Sequence, residues 1–163
     1  MLDNTHQDWK ARADGLILRN QAFIDGRFVD AISGKTFDSI NPANGAVLTS
    51  VAECDTEDVN LAVAAGRRAF NAGYWSRMAP GDRKVIMLKL ADLIRANLEE
   101  MALLDSLDMG KLITDAVTVD APGSAHFFQW YAECIDKIYD EVAPTGPGDL
   151  ALLRRVPLGV VGA

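Results

Sequence analysis

Arg154-Arg155-Val156-Pro157-Leu158-Gly159-Val160-Val161-Gly162-Ala163 carries no charge from Val156 onward, and its β-branched valines with interspersed glycines suit a buried strand. A chain terminus is usually polar, exposed and frayed. The stretch therefore reads as a core strand handing over to a next element. The expectation that follows is that these 163 residues are the front part of a larger protein.

Working outward, the composition excludes several classes. With 49% hydrophobic and 24% charged residues the chain is a globular protein and not a disordered one. Its net charge of −7 argues against a nucleic-acid surface, which needs clustered Lys and Arg. The start, Met1-Leu2-Asp3-Asn4, lacks the apolar run of a signal peptide. No stretch approaches the roughly 20 apolar residues that cross a bilayer. Cys54 and Cys134 form no CxxC pair, so a reduced cytoplasm is the expected location.

Residues 3–18 read as a polar helix anchored by Trp9, Leu16 and Ile17. Ala22-Phe23-Ile24 and Arg27-Phe28-Val29 flank Asp25-Gly26, the pair that supplies the positive φ angles of a two-residue type I′ hairpin turn. Further strands are expected over Thr36–Ile40 and Ala46–Val51, joined by the turn Asn41-Pro42-Ala43-Asn44-Gly45. Asp55-Thr56-Glu57-Asp58 lacks the alternating ligands and glycine of a calcium loop. It reads instead as an N-cap with acidic first-turn residues facing the helix dipole. The helix that follows puts Val59, Ala62, Val63, Gly66 and Phe70 on one face and closes at Gly73.

Pro80 opens a long helical region whose stripe is Met87, Ala91, Ile94, Leu98 and Met101, widened by Leu90 and Leu93. A break is expected near Asn97, and Gly110 is the natural closing residue. A helix after Lys111 is expected to be interrupted at Asp120-Ala121-Pro122-Gly123. It then resumes with Phe127, Trp130 or Tyr131, Cys134 and Ile138 on one face. Pro144-Thr145-Gly146-Pro147-Gly148 ends it as a stiff linker, and Leu150–Val156 reads as a strand.

The reactive side chains assemble no catalytic apparatus. Cys134 and His126 are eight residues apart on one helix, about 12 Å and beyond hydrogen-bond reach. Cys54 precedes a helix N-terminus, which favours a thiolate, but no base lies near it in sequence. Two His and two Cys without close spacing make no metal cluster. Gly159-Val160-Val161-Gly162 is a poor match to a dinucleotide fingerprint.

The order of elements carries a resemblance. Phe23-Ile24-Asp25-Gly26-Arg27-Phe28 followed by Asn41-Pro42-Ala43-Asn44-Gly45 resembles the N-terminal hairpin and turn of the aldehyde dehydrogenase superfamily. The Ala-rich helix leading to Phe70 and Trp75 fits, as does Leu104-Asp105-Ser106-Leu107-Asp108-Met109-Gly110-Lys111. Arg155-Val156-Pro157-Leu158-Gly159-Val160-Val161 is similar to the strand ahead of the family's first nucleotide-binding segment. Trp130-Tyr131-Ala132-Glu133 and Ile135 to Pro144 are similar to the γ-glutamyl-γ-aminobutyraldehyde dehydrogenases of putrescine breakdown. Leu112 departs from the family, which usually has Pro after Gly-Lys.

The resemblance implies an α/β chain, the N-terminal part of the aldehyde dehydrogenase fold. It comprises the β-hairpin and helices of the Rossmann-like cofactor domain plus an oligomerisation strand. The implied division is a helical arm at 1–20, the N-terminal part of the NAD(P)-binding domain at 21–143, an oligomerisation strand at 144–157, and the start of a nucleotide-binding strand at 158–163. It implies oxidation of a small aldehyde to a carboxylic acid with NAD or NADP as hydride acceptor. A cysteine thiolate attacks the aldehyde, and a glutamate activates the water that releases the acid. In the family those residues and the main cofactor contacts lie beyond Ala163, so no catalytic or cofactor-binding residue is expected here. One site carries over: a Na+ or K+ ion held by backbone oxygens at Ser39 and Ile40 and by the carboxylate of Asp108. A homo-oligomer, dimer or tetramer, is implied, with no nucleic-acid or membrane partner. The other reading of the residues is a stand-alone, non-catalytic assembly module built on the same fold.

Overall fold

The computed structural model describes residues 4–162. The N-terminal helix α1 spans His6–Asp14, opened by a Thr5/Asp8 capping box. It is shorter than expected: Gly15 caps it, and Ile17 is 92% exposed and anchors nothing. Trp9 packs inward against buried residues of later helices, and the half-buried Leu16 lines a cleft with Leu98 and Leu103. The part of the expected helix at residue 3 lies outside the described residues.

β1 (Ala22–Ile24) and β2 (Arg27–Val29) pair antiparallel with Ala22 opposite Val29 and Ile24 opposite Arg27. Asp25 and Gly26 sit at φ 53° and 77°, as a type I′ turn requires. β3 (Thr36–Ile40) and β4 (Val47–Ala52, one residue later than expected) form a second hairpin. Ser39 faces Thr49 and Ile40 faces Val47, so Leu48 has no partner and the ladder bulges there. The connecting turn is closed by Asn41, whose side-chain oxygen accepts from the Ala43 N–H at 2.9 Å while its carbonyl accepts from the Gly45 N–H at 2.8 Å.

α2 (Thr56–Ala72) begins at the Asp55 N-cap and ends at Gly73 in the left-handed region, φ 78°. The face expected to be core is open: Val59 and Val63 are exposed, and a Cβ at Gly66 would stand 3.4 Å from the Val160 side chain. α3 (Pro80–Ala96) and α4 (Leu98–Met109) are separated at Asn97, where the expected break falls. There Asn97 Nδ2 donates to the Leu93 carbonyl at 2.8 Å. Gly110 closes α4 at φ 72°.

The next region corrects the reading from sequence. α5 (Ile113–Asp115), a π turn (Ala116–Asp120) and α6 (Ala121–Cys134) run on without a break. Pro122 does not interrupt the run: it stands directly after the π turn, where the regular i→i−4 ladder that a proline would break has already given way to wider spacing. The buried side of α6 is also not the aromatic one. Ala91 of α3 and Ala125 and Ala132 of α6 have 0% exposure, and α3 packs on α6 through these small residues. Phe127, Trp130 and Tyr131 face outward at 50–64% exposure. A second buried cluster joins Ala102 of α4 to Ala116, Val117 and Ala121, with Trp9, Leu98 and Ile113 packed against it.

The helix ends at Cys134, before Ile138. Lys84 Nζ donates to Asp136 Oδ2 at 2.8 Å and Lys137 Nζ to Oδ1 at 3.0 Å, tying the start of α3 to the turn after α6. Those two ammonium groups, Lys84 first, hold the Asp136 carboxyl down at about 2. Glu141–Ala143 is strand β5, pairing antiparallel with β6, Ala151–Leu153. Pro144–Gly148 is thus part of a hairpin loop and not a linker after a helix, and the strand expected over 150–156 is shorter. The closing run is no strand among the described residues, and Val156, Leu158 and Val161 are exposed. Ala163 lies outside the described residues. The sheets described are three antiparallel hairpins.

Candidate functional site

The residues expected to hold a cation come from two elements far apart in sequence. The bulge in the β3–β4 ladder falls between Ser39 and Ile40, at the edge of the Asn41–Gly45 turn. α4 delivers Asp108 from its last turn. Ser39 Oγ donates to Asp108 Oδ1 at 3.0 Å, so two of the three expected residues meet through their side chains across 69 positions. Ile40 follows Ser39 as the last residue of β3.

Gly110 makes this approach workable. At φ 72° it ends α4 as only glycine does readily, and a Cβ there would stand 2.7 Å from Pro42 Cγ. The carboxylate of Asp108 at a helix C-terminus faces the negative end of the dipole, so a partner there is favourable. The Ser39 hydroxyl supplies one. Beside the pair lies an open cleft of about 580 Å³ lined in part by Leu18, Leu48, Leu104 and Leu107. Arg19, Glu100 and Asp105 also line it, and the Arg19 guanidinium lies 4.4 Å over the Phe28 ring.

The thiols do not enter any site. Cys134 is half-buried on α6, the helix that also carries His126. Cys54 is exposed, and its pKa is pushed up by loss of water around the sulfur and by the carboxylates of Asp58 and Asp55. The helix N-terminus was expected to favour the thiolate; the carboxylates of the same capping box oppose it. Gly159 has φ 116°, and a Cβ there would stand 3.0 Å from the Arg67 guanidinium. Among the described residues no group of three or more His, Cys, Asp or Glu side chains could hold a metal ion.

Two arrangements escaped the reading of the sequence. Asp58, read as a first-turn helix residue, is 2% exposed; its Oδ2 accepts from the Asp55 N–H and its Oδ1 from the Ile32 N–H, each at 3.0 Å. Those backbone donors, Asp55 first, hold its carboxyl below the ordinary carboxylate value. The D-x-x-D spacing signals the first bond; nothing local signals the second. Lys111, which follows Gly110 at the end of α4, forms an ion pair with Asp120 in the π turn.

The model of the aldehyde dehydrogenase family matches residues 28–163. The aminoacetaldehyde dehydrogenase of Pseudomonas aeruginosa is 48% identical over 158 residues, 97% of this chain and 32% of that protein. A mutant P. syringae indole-3-acetaldehyde dehydrogenase (AldA), in complex with NAD+ and IAA, superposes with a TM-score of 0.92 at 48% identity, covering 95% of this chain and 31% of that one. The γ-glutamyl-γ-aminobutyraldehyde dehydrogenase of Burkholderia cenocepacia superposes with a TM-score of 0.86 at 49% identity, over 88% and 29%. The chain spans about a third of the length of the relatives it matches.

Proposed function

This chain belongs to the aldehyde dehydrogenase family, and from that premise we propose that it is the N-terminal scaffold of an NAD(P)+-dependent enzyme that oxidises an aldehyde to a carboxylic acid. The observation that carries the reading is 48% identity to an aldehyde dehydrogenase along 97% of the chain. The substrate we assign is γ-glutamyl-γ-aminobutyraldehyde, in putrescine breakdown, supported by the 49% identity to the Burkholderia cenocepacia enzyme. NAD+ or NADP+ supplies the hydride acceptor when bound. The division at 1–20, 21–143, 144–157 and 158–163 remains our reading of how the chain serves that enzyme.

The nucleophilic cysteine, the general-base glutamate and the dinucleotide loop belong, on this reading, to other residues than those of this chain. The raised pKa of Cys54 supports that assignment. The outward faces of α2 and α6 are surfaces for the rest of the enzyme to cover, since contiguous exposed apolar surface marks an interface. The β5–β6 hairpin, with Val142, Leu152 and Leu153 exposed, is an oligomerisation element for a dimer or tetramer. Two free cysteines accord with a cytoplasmic location. No helix among the described residues is long and apolar enough to cross a membrane.

Ser39 and Ile40, through carbonyl oxygens, and Asp108, through its carboxylate, form our candidate Na+ or K+ site. An all-oxygen donor set suits a hard cation, and a single carboxylate suits a single positive charge. The Ser39–Asp108 hydrogen bond supports the assignment by holding the carboxylate beside the end of β3.

Two measurements test the two parts. Nicotinamide reduction by the complete protein is measured with γ-glutamyl-γ-aminobutyraldehyde, aminoacetaldehyde and indole-3-acetaldehyde. The expected result is turnover of all three, with kcat/KM for the first about tenfold above the others, a gap within reach of pocket contacts. Absence of turnover with every aldehyde would overturn the reading. The thermal midpoint is then compared in KCl, NaCl and choline chloride at equal ionic strength. The wild-type protein is expected to be stabilised by the metal salts and Asp108→Asn to be indifferent; equal midpoints for the wild type would remove the cation site.

A further inference from the structure

α6 leaves the π turn with Ala125 and Ala132 toward α3 and Phe127, Trp130 and Tyr131 outward. A π turn takes one more residue into the helix than α geometry would. Each residue of an α-helix turns through about 100°, so relaxing the turn to α geometry rotates everything after it by about that angle. The alanines would leave α3, and aromatic rings would take their place against it. Something must hold the turn in its less favoured geometry.

Four contacts bear on it. Ala116 and Val117 are buried against Ala102 and Ala121. Thr118 Oγ1 donates to the Thr114 carbonyl at 2.7 Å, a back-bond that bends helices. The Lys111 ammonium meets the Asp120 carboxylate at the last residue of the turn. Ser106 Oγ donates to the Lys111 carbonyl at 2.6 Å, fixing the lysine's backbone to α4. Asp120 Oδ2 is buried, and among the described residues the Lys111 ammonium is the group that meets it and compensates its charge.

We propose that Lys111 is a positioning residue whose ion pair with Asp120 pins the π turn and so sets which face of α6 points outward. The carboxylates around it, Asp120 first and then Asp105 and Asp115, raise its pKa and keep it charged. The inference concerns the scaffold and stands whichever aldehyde the enzyme takes.

The test is peptide-resolved amide hydrogen exchange on the complete protein with Lys111→Met, Lys111→Arg, Asp120→Asn and the charge-swapped pair Lys111→Asp with Asp120→Lys. Lys111→Met and Asp120→Asn are expected to speed exchange over residues 116–134 by about tenfold or more, with β1–β2 and α2 unchanged. Lys111→Arg and the swapped pair are expected to stay within about twofold of wild type, since each restores the opposite charges. Wild-type exchange over 116–134 in Lys111→Met would overturn the proposal, as would acceleration spread evenly over the chain. Should Lys111→Met fail to fold, the swapped pair decides: wild-type exchange supports the pin, and fast exchange refutes it.

Discussion

Ala125→Leu costs about 3 kcal/mol, the upper end for overpacking a filled core. Ala125 has 0% exposure on α6, where that helix packs against α3 through alanines. A leucine adds three carbons at a position closed to solvent, and in a close-packed interior the helices must part or the side chain must leave its rotamer. At roughly 2–4 °C per kcal/mol for a chain of this size, the thermal midpoint falls by roughly 6–12 °C. Ser124→Leu, one position away and exposed, stays within about 0.5 kcal/mol of wild type. Calorimetry on the pair checks the account. An Ala125→Leu midpoint equal to that of Ser124→Leu would mean that the α3–α6 seam is not tightly packed.

Asp58→Ala acts through two orphaned donors. The aspartate is nearly fully buried and accepts from the Asp55 and Ile32 backbone N–H groups, so it joins the start of α2 to the loop after β2. Removing it takes that partner from both part-buried N–H groups, and a donor left unpaired away from water is costly. The thermal midpoint is expected to fall on the order of 5 °C at neutral pH. The pH dependence has a definite sign. Because the folded-state pKa lies below the unfolded value, the stabilisation is present above the unfolded pKa of about 4. It is lost as pH falls through the folded pKa. The gap between wild type and Asp58→Ala should therefore close in acid. A gap independent of pH between 7 and about 3 would show that the ionised carboxylate is not the cause.

What the sequence made legible was governed by local chemistry. Asp25-Gly26 carries its positive φ angles in its residue types, and the hairpin falls where that pair puts it. Asp55 caps α2, Asn97 breaks the α3–α4 region, and Gly73 and Gly110 close their helices in the left-handed region. What stayed hidden depends on residues distant in sequence. Pro122 reads as a break unless the π turn ahead of it is known, and that turn is held by Lys111 and by Ala102. Glu141–Ala143 becomes a strand only because Ala151–Leu153 lies beside it. The apolar stripe of α6 pointed to burial on the aromatic face, yet the packing selected alanine, because small residues let α3 and α6 approach closely. The candidate cation site shows the same division. Ser39, Ile40 and Asp108 were named through family resemblance, and no spacing rule brings Ser39 to Asp108.

The central claim is that these residues supply scaffold and candidate cation ligands, while the chemistry of aldehyde oxidation lies in other residues. The most direct test is aldehyde-dependent NAD(P)H formation by the complete enzyme carrying Cys54→Ala and Cys134→Ala together. The account predicts kcat within about threefold of wild type, since neither thiol forms the bond to the aldehyde. A fall of about a thousandfold or more, the signature of a lost nucleophile, would contradict it.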